Sequence, residues 1–233
     1  MNELQHVPTN IRIREKMEGN SKRFWAGDNV SEYVDEKILA ELVDEATEAF
    51  EAVLDCLLID RKTDPNSHGT ARRLAKMYFY EIMAGRYTDR PAATAFPNDT
   101  DDRYSGMLVV RSELKSMCSH HHQPVTGVAY IGIIPGQKVI GLSKYTRIAQ
   151  WCARRGTLQE ELCNDIAREI AKATESEDVA VYIQATHGCC ENRGIGAHSS
   201  LTQTTVLKGQ FNGADVKKEF FDNVMLQQQF APR

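Results

Sequence analysis

Two segments far apart in the chain carry the side chains that most restrict its fold: Cys118-Ser119-His120-His121-His122 and His187-Gly188-Cys189-Cys190, the second followed by Arg193-Gly194. Thiolate and imidazole are the ligands a borderline-soft divalent ion prefers, and a catalytic zinc takes three protein ligands while keeping its fourth position for water. A fold that brings the two segments together supplies such a site, and water on zinc ionises near neutral pH. The pair therefore marks a candidate metal-assisted hydrolase. Spacing alone does not choose among His120, His121 and His122, or between Cys189 and Cys190. On an extended strand alternate positions face opposite ways, so His120 and His122 would share one face and His121 the other.

The order of the chain predicts what carries these segments. Residues 1–34 are polar and poorly periodic and read as a flexible arm. Ile38, Leu39, Leu42, Val43, Ala46, Phe50, Val53 and Leu54 then recur at helical spacing. Pro65, Asn66 and Gly69 mark a loop, after which Thr70 caps a second helix through about Ala84, with Gly85 as its stop. A polar connection runs from Arg86 to about Ser105 and closes a helical region over 35–106. From Met107 strands dominate: Leu108 to Met117 leads into the first Cys/His segment, Val125 to Ile134 is β-branched, and Lys138 to Leu142 follows a Pro-Gly turn. Two helices come next, from Ser143 to near Arg155 and from Thr157 to about Ser176. Val179 to Thr186 delivers His187, Thr202 to Leu207 is a further strand, and an amphipathic helix spans roughly Val216 to Leu226. Residues 107–233 thus predict an α+β domain, an antiparallel sheet with helices on one face.

Composition narrows the function classes. At 233 residues, 42% hydrophobic and 26% charged, the chain is long enough for one large domain or a domain with an appendage. A net charge of -4 argues against a broad basic surface, hence against direct nucleic-acid or acidic-membrane binding, but leaves room for a local cationic site for a small anion. No run is apolar and long enough to span a bilayer, and no basic-then-apolar leader opens the chain. A cytoplasmic location is expected, where the six cysteines stay reduced as core residues or metal ligands.

Several strings in one register resemble GTP cyclohydrolase I: Arg73-Leu74-Ala75-Lys76-Met77-Tyr78, Cys118-Ser119-His120-His121, Val139-Ile140-Gly141-Leu142-Ser143-Lys144 with Arg147, Gln159-Glu160, His187-Gly188-Cys189 and Arg193-Gly194. The resemblance runs from about Ile38 to the last helix. It implies the tunnelling fold, with sheets combined into pentameric barrels, two of which stack into a toroidal homodecamer with active sites between subunits. It implies hydrolytic opening of the guanine imidazole ring of GTP, release of C-8 as formate, and reclosure to dihydroneopterin triphosphate, with Zn2+ as the only cofactor. That product feeds pterin, folate or 7-deazaguanine biosynthesis.

By the same resemblance Cys118, His121 and Cys189 are the zinc ligands, with His122 and Cys190 as neighbours. His120 and His187 are the acid-base pair, a role that suits imidazole near neutral pH. Glu160 reads the adjacent ring N–H and amino donors of guanine, with Gln159 in support. On the residues alone Thr157-Leu158-Gln159-Glu160 reads first as a capping box, and only the resemblance gives Glu160 the base-reading role. Ser143, Lys144, Arg147, Arg193, Arg73 and Lys76 form the expected triphosphate set, whereas Arg72, Arg154-Arg155 and Lys217-Lys218 read as surface charge. Two positions depart from the family pattern: Ser119 stands where a glutamate is usual, and Glu191 places negative charge close to the phosphate set. Ser119 motivates an alternative, a catalytically impaired GTP-binding homologue with structural zinc. Glu113-Leu114-Lys115-Ser116 is faintly similar to a motif of the nitrile reductases of the 7-deazaguanine pathway, which share the fold, but their cysteine-centred string is missing.

Overall fold

The computed structural model describes residues 7–98 and 103–230, and the chain separates into two compact units, 1–89 and 90–233. The division falls earlier than the boundary expected near residue 106, because part of the polar connection belongs to the sheet unit.

The first unit is helical. Helix α1 spans Thr9–Gly19, α2 Glu36–Cys56, α3 Thr70–Met77 and α4 Ala84–Tyr87, with a π-helical turn over Tyr78–Ile82 between the last two. The expected flexible arm over 1–34 is corrected here: from Thr9 onward it is folded, while residues 1–6 lie outside the described residues. Ile13 and Met17 of α1 are buried with Val30 and Val34, against Ile38, Leu39 and Leu42 of α2. Two buried apolar residues one turn apart are too sparse a stripe for periodicity to register. The start of α1 is capped at long range: Glu45 accepts from the amides of Thr9 and Asn10, the latter at 3.0 Å, and Glu41 accepts from the Thr9 hydroxyl at 2.7 Å. These carboxylates satisfy first-turn donors that no local side chain meets.

Helix α2 begins as its sequence suggests, with Asp35 accepting from the Ile38 amide at 2.8 Å. At α3 the cap is Gly69, held at φ 76°, and Thr70 is already helical. Gly85 does not stop the helix but is buried within α4, since the π turn carries the helical path past Met77. The neighbouring Arg86 donates to the carbonyl oxygens of Phe24, Trp25, Ala26 and Asp28, three of these at 2.8–3.0 Å. One fork of donors thereby fixes a turn that has no strand or helix of its own.

Among the described residues the second unit holds two antiparallel sheets. Strand β1 is Ala95–Pro97, β2 Leu108–Met117, β3 Pro124–Ile133 and β4 Lys138–Ile140; helix α5 is Leu142–Ala153 and α6 Gln159–Thr174. They are followed by β5 Val179–His187, the short α7 Gly188–Glu191, β6 Thr202–Leu207 and α8 Ala214–Phe230. The main sheet has the order β2-β3-β5-β6, and β1 pairs with β4. Asn98 organises the connection before β2, donating to the carbonyls of Tyr104 and Gly136 at 2.8 and 2.9 Å. Residues 99–102 of that connection lie outside the described residues.

Helices cover both faces of the sheet, where one covered face was expected. Ala129, Ile131 and Ile133 of β3 and Val179, Val181 and Ile183 of β5 pack against Tyr145, Ile148 and Cys152 of α5 and Ile166 and Ile170 of α6. The alternate residues Tyr130, Ala180 and Tyr182 meet Phe211, Phe220 and Val224 on the opposite side. This double burial explains why the inner strands read as almost continuous apolar runs. Arg155, read as surface charge, is only 4% exposed: its guanidinium lies 3.7 Å from the centre of the Trp151 ring and 3.5 Å from Asp165. Stacking plus a carboxylate offsets the desolvation that would otherwise keep the cation outside.

Gly127 of β3 lies so close to β5 that a Cβ there would sit 2.1 Å from the Gln184 carbonyl oxygen and 2.5 Å from the Ala185 Cβ. Gly127→Ala is expected to force the strands apart and destabilise the fold by about 1–3 kcal/mol, read as a lower denaturation midpoint in urea; an unchanged midpoint would contradict this packing. Arg86→Ala strips donors from several carbonyls at once, and a loss of about 2–3 kcal/mol is expected in the same assay, with Arg86→Lys restoring only part of it.

Candidate active site

The register of the main sheet assembles the site. Met117 pairs with Pro124 across β2 and β3, and Val125 pairs with His187 across β3 and β5. The turn after β2 and the end of β5 therefore emerge at the same end of the sheet. The turn is closed by its own backbone, with the Cys118 amide donating to the Gln123 carbonyl at 3.0 Å and the His122 amide to the Cys118 carbonyl at 2.9 Å. His122 takes a left-handed conformation, φ 51°, to complete it. Beyond His187 the chain enters α7 through Gly188, where a Cβ would stand 3.1–3.2 Å from Pro124 and Asn192, so close packing holds Cys189 beside the turn.

Cys118, His187 and Cys189 converge: one donor atom from each lies within 4.8 Å of the others. Tetrahedral zinc with Zn–S near 2.3 Å and Zn–N near 2.0 Å needs donor separations of roughly 3.4–3.8 Å, so a small contraction would seat the ion. Two sulfurs and an imidazole are a donor set that favours zinc over magnesium or calcium. The sequence-based ligand set differs in one member: His121 is outside this cluster, exposed on the turn with His120, the two rings edge to face at 6.4 Å between centres.

Burial pushes the Cys189 thiol up to about 11, reinforced by the neighbouring thiols of Cys118 and then Cys190. Burial also lowers the His187 pKa, against the opposing pull of the Glu160 and Glu191 carboxylates. Hence, without metal, burial favours the protonated thiol at Cys189 and the neutral imidazole at His187.

Gln159 is 3% exposed and accepts from, or donates to, every side of its pocket: its Oε1 is 2.7 Å from His187 Nε2, and its Nε2 donates to Thr204 Oγ1 at 3.1 Å and the Thr202 carbonyl at 3.2 Å. Glu160, next in the first turn of α6, is exposed and close enough to act on the charge of His187. The expected capping box is absent: the N-cap of α6 is Leu158, without a side-chain cap, and the Thr157 hydroxyl donates instead to the Glu161 carboxylate at 2.7 Å. Glu160 is thus left for another role.

The cationic positions divide between the units. Ser143 and Arg147 are exposed and Lys144 half-buried in the first turns of α5, which starts at Leu142 with Gly141 as its cap. Arg193 is exposed on a turn whose Gly194 and Gly196 both have positive φ. Arg73 and Lys76 belong to the helical unit, where Arg73 donates to the carbonyls of Asn66 and His68 and to the Thr70 hydroxyl at 2.8–3.1 Å. Among residues the sequence reading assigned otherwise, Gln159 stands out as bound to His187, and no local pattern announces a contact that joins α6, β5 and β6.

The α+β unit carries, at one end of its sheet, a Cys-His-Cys donor set that could hold a metal ion. The GTP cyclohydrolase I family model matches residues 46–225, and the chain belongs to that family. It is similar to proteins named GTP cyclohydrolase 1 from Flavobacterium johnsoniae, 38% identical over 192 residues covering 82% of this chain and 85% of the relative. Those from Aeromonas salmonicida are 39% identical over 172 residues (72% and 78% covered), and from Vibrio cholerae 37% over 174 (74% and 79%). Among the described residues no helix is long and apolar enough to cross a membrane.

Because the thiols must lose protons to bind a cation, zinc affinity is expected to rise about tenfold per pH unit for each proton released between pH 6 and 8. Calorimetric titration of metal-free protein in buffers of different ionisation enthalpy counts those protons, and a pH-independent affinity would rule the thiol centre out.

Proposed function

We propose that this enzyme of the GTP cyclohydrolase I family opens the imidazole ring of GTP by hydrolysis, releasing formate and giving 7,8-dihydroneopterin triphosphate. The observation that carries the reading is the Cys118-His187-Cys189 convergence beside Glu160, in a chain whose family model spans both ligand segments.

Cys118 and Cys189 would hold zinc as thiolates, with His121 as third ligand. Zinc, when bound, supplies water that ionises near neutral pH. Only three protein ligands leave a position open for chemistry, so of His121 and His187 one binds the ion and the other moves protons. The family resemblance favours His121 as ligand, leaving His187 and His120 to protonate the ring nitrogens of the substrate. The proximity of His187 to both sulfurs supports the converse assignment. Glu160, unengaged as a cap, accepts from the ring N–H and amino group of guanine and so rejects purines without those donors. Lys144, Arg147 and Arg193, together with the Ser143 hydroxyl and the α5 amides, hold the triphosphate. The outer strands β2 and β6 leave sheet edges that pairing between copies would satisfy, which supports self-association; the homodecamer and the cytoplasmic location rest on the family resemblance.

Two substitutions separate the roles. His121→Ala is expected to lose bound zinc and turnover together, whereas His187→Ala keeps zinc and loses about 10²–10⁴-fold in kcat. Zinc per chain by elemental analysis and formate release from GTP are the readouts; the reverse pattern would exchange the two histidines. Absence of formate from fully metallated wild-type protein that still binds GTP would replace the hydrolase by a GTP-binding homologue.

A further inference from the structure

Gln159 is held in one orientation. Its side-chain nitrogen faces the Thr202 carbonyl at 3.2 Å, the Ile183 carbonyl at 3.4 Å and Thr204 Oγ1 at 3.1 Å. Carbonyl oxygens only accept, so the NH2 must point to them, and the amide oxygen is turned to His187 Nε2 at 2.7 Å. An amide oxygen also only accepts, so Nε2 carries hydrogen. With the ring neutral, its single lone pair is then at Nδ1. Both amide hydrogens of Gln159 are engaged within the protein, which leaves it no donor for a ligand.

We infer that Gln159 is a positioning residue for His187, locking the imidazole as the Nε2–H tautomer so that Nδ1 faces the chemistry, and that it does not read the guanine base. This rests on the proposed GTP ring opening for its catalytic consequence, though not for the tautomer itself. The lock has two anchors: α6 supplies Gln159, and β6 holds its amide through Thr202 and Thr204. An imidazole with its second nitrogen tied to an acceptor is fixed in ring plane as well as in proton position, whether Nδ1 binds metal or takes a proton. A methylene-for-amide change would free both.

The direct test is the nitrogen spectrum of 15N-histidine-labelled, metal-free wild-type protein at pH 8, above the ordinary imidazole range, with His187 assigned by comparison with His187→Asn. A protonated Nε2 and a lone-pair Nδ1 are expected; a protonated Nδ1 would overturn the inference, and this readout needs no Gln159 variant. Gln159→Leu is expected to mix the tautomers and lower kcat about 10–100-fold, with the Kd of GTP for zinc-stripped protein within about twofold of wild type by calorimetry. A variant with normal kcat and much weaker GTP binding would make Gln159 a base reader instead. If wild-type protein released no formate, the functional reading would fail while the tautomer spectrum still decided the role of Gln159.

Discussion

The antiparallel register of β2, β3 and β5 is the constraint on which the site depends. With Met117 opposite Pro124 and Val125 opposite His187, two segments distant in sequence leave the sheet side by side. A slip of one residue would turn every inward side chain outward and separate Cys118 from Cys189. The missing side chain at Gly127 lets β5 approach where the register must hold, next to Ala185. The convergence of Cys118, His187 and Cys189 is therefore a property of strand pairing before it is one of residue type.

Much of the sheet unit was legible because its signals are local. The strand Leu108–Met117 ends where the apolar run meets Cys118, and Thr202–Leu207 has the expected bounds, since alternation and turn residues mark both. The helices of the first unit were harder. Helix α1 depends on Glu41 and Glu45 for its first turn and on Val30 and Val34 for its apolar contact, partners that no window around Thr9 contains. Arg155 looked like surface charge because its two stabilising neighbours, Trp151 and Asp165, sit on different helices.

The site was legible in part for the same reason. Cys118 follows from residue type, Cys189 is selected over Cys190 by the family resemblance, and the structure brings the two together. Spacing left the third imidazole open, and the structure gathers His187 where family resemblance selects His121. Glu160 had a competing local explanation as a capping residue, removed because the N-cap of α6 is Leu158, without a side-chain cap, and Thr157 bonds Glu161 instead. The contact between Gln159 and His187 spans three elements and has no one-dimensional signature. Polar networks that cross elements are what a single chain of letters conceals best.

Arg86 shows how one side chain can decide the way a region comes apart. By binding carbonyls of residues 24–28 it closes a long stretch of chain on itself, from the turn after α1 to the last helix of that unit. Neither end of the loop can open without breaking the same guanidinium contacts, so local fraying becomes sub-global unfolding. Residues 24–86, the stretch closed by these contacts, should accordingly exchange their protected amides as one cooperative block rather than helix by helix.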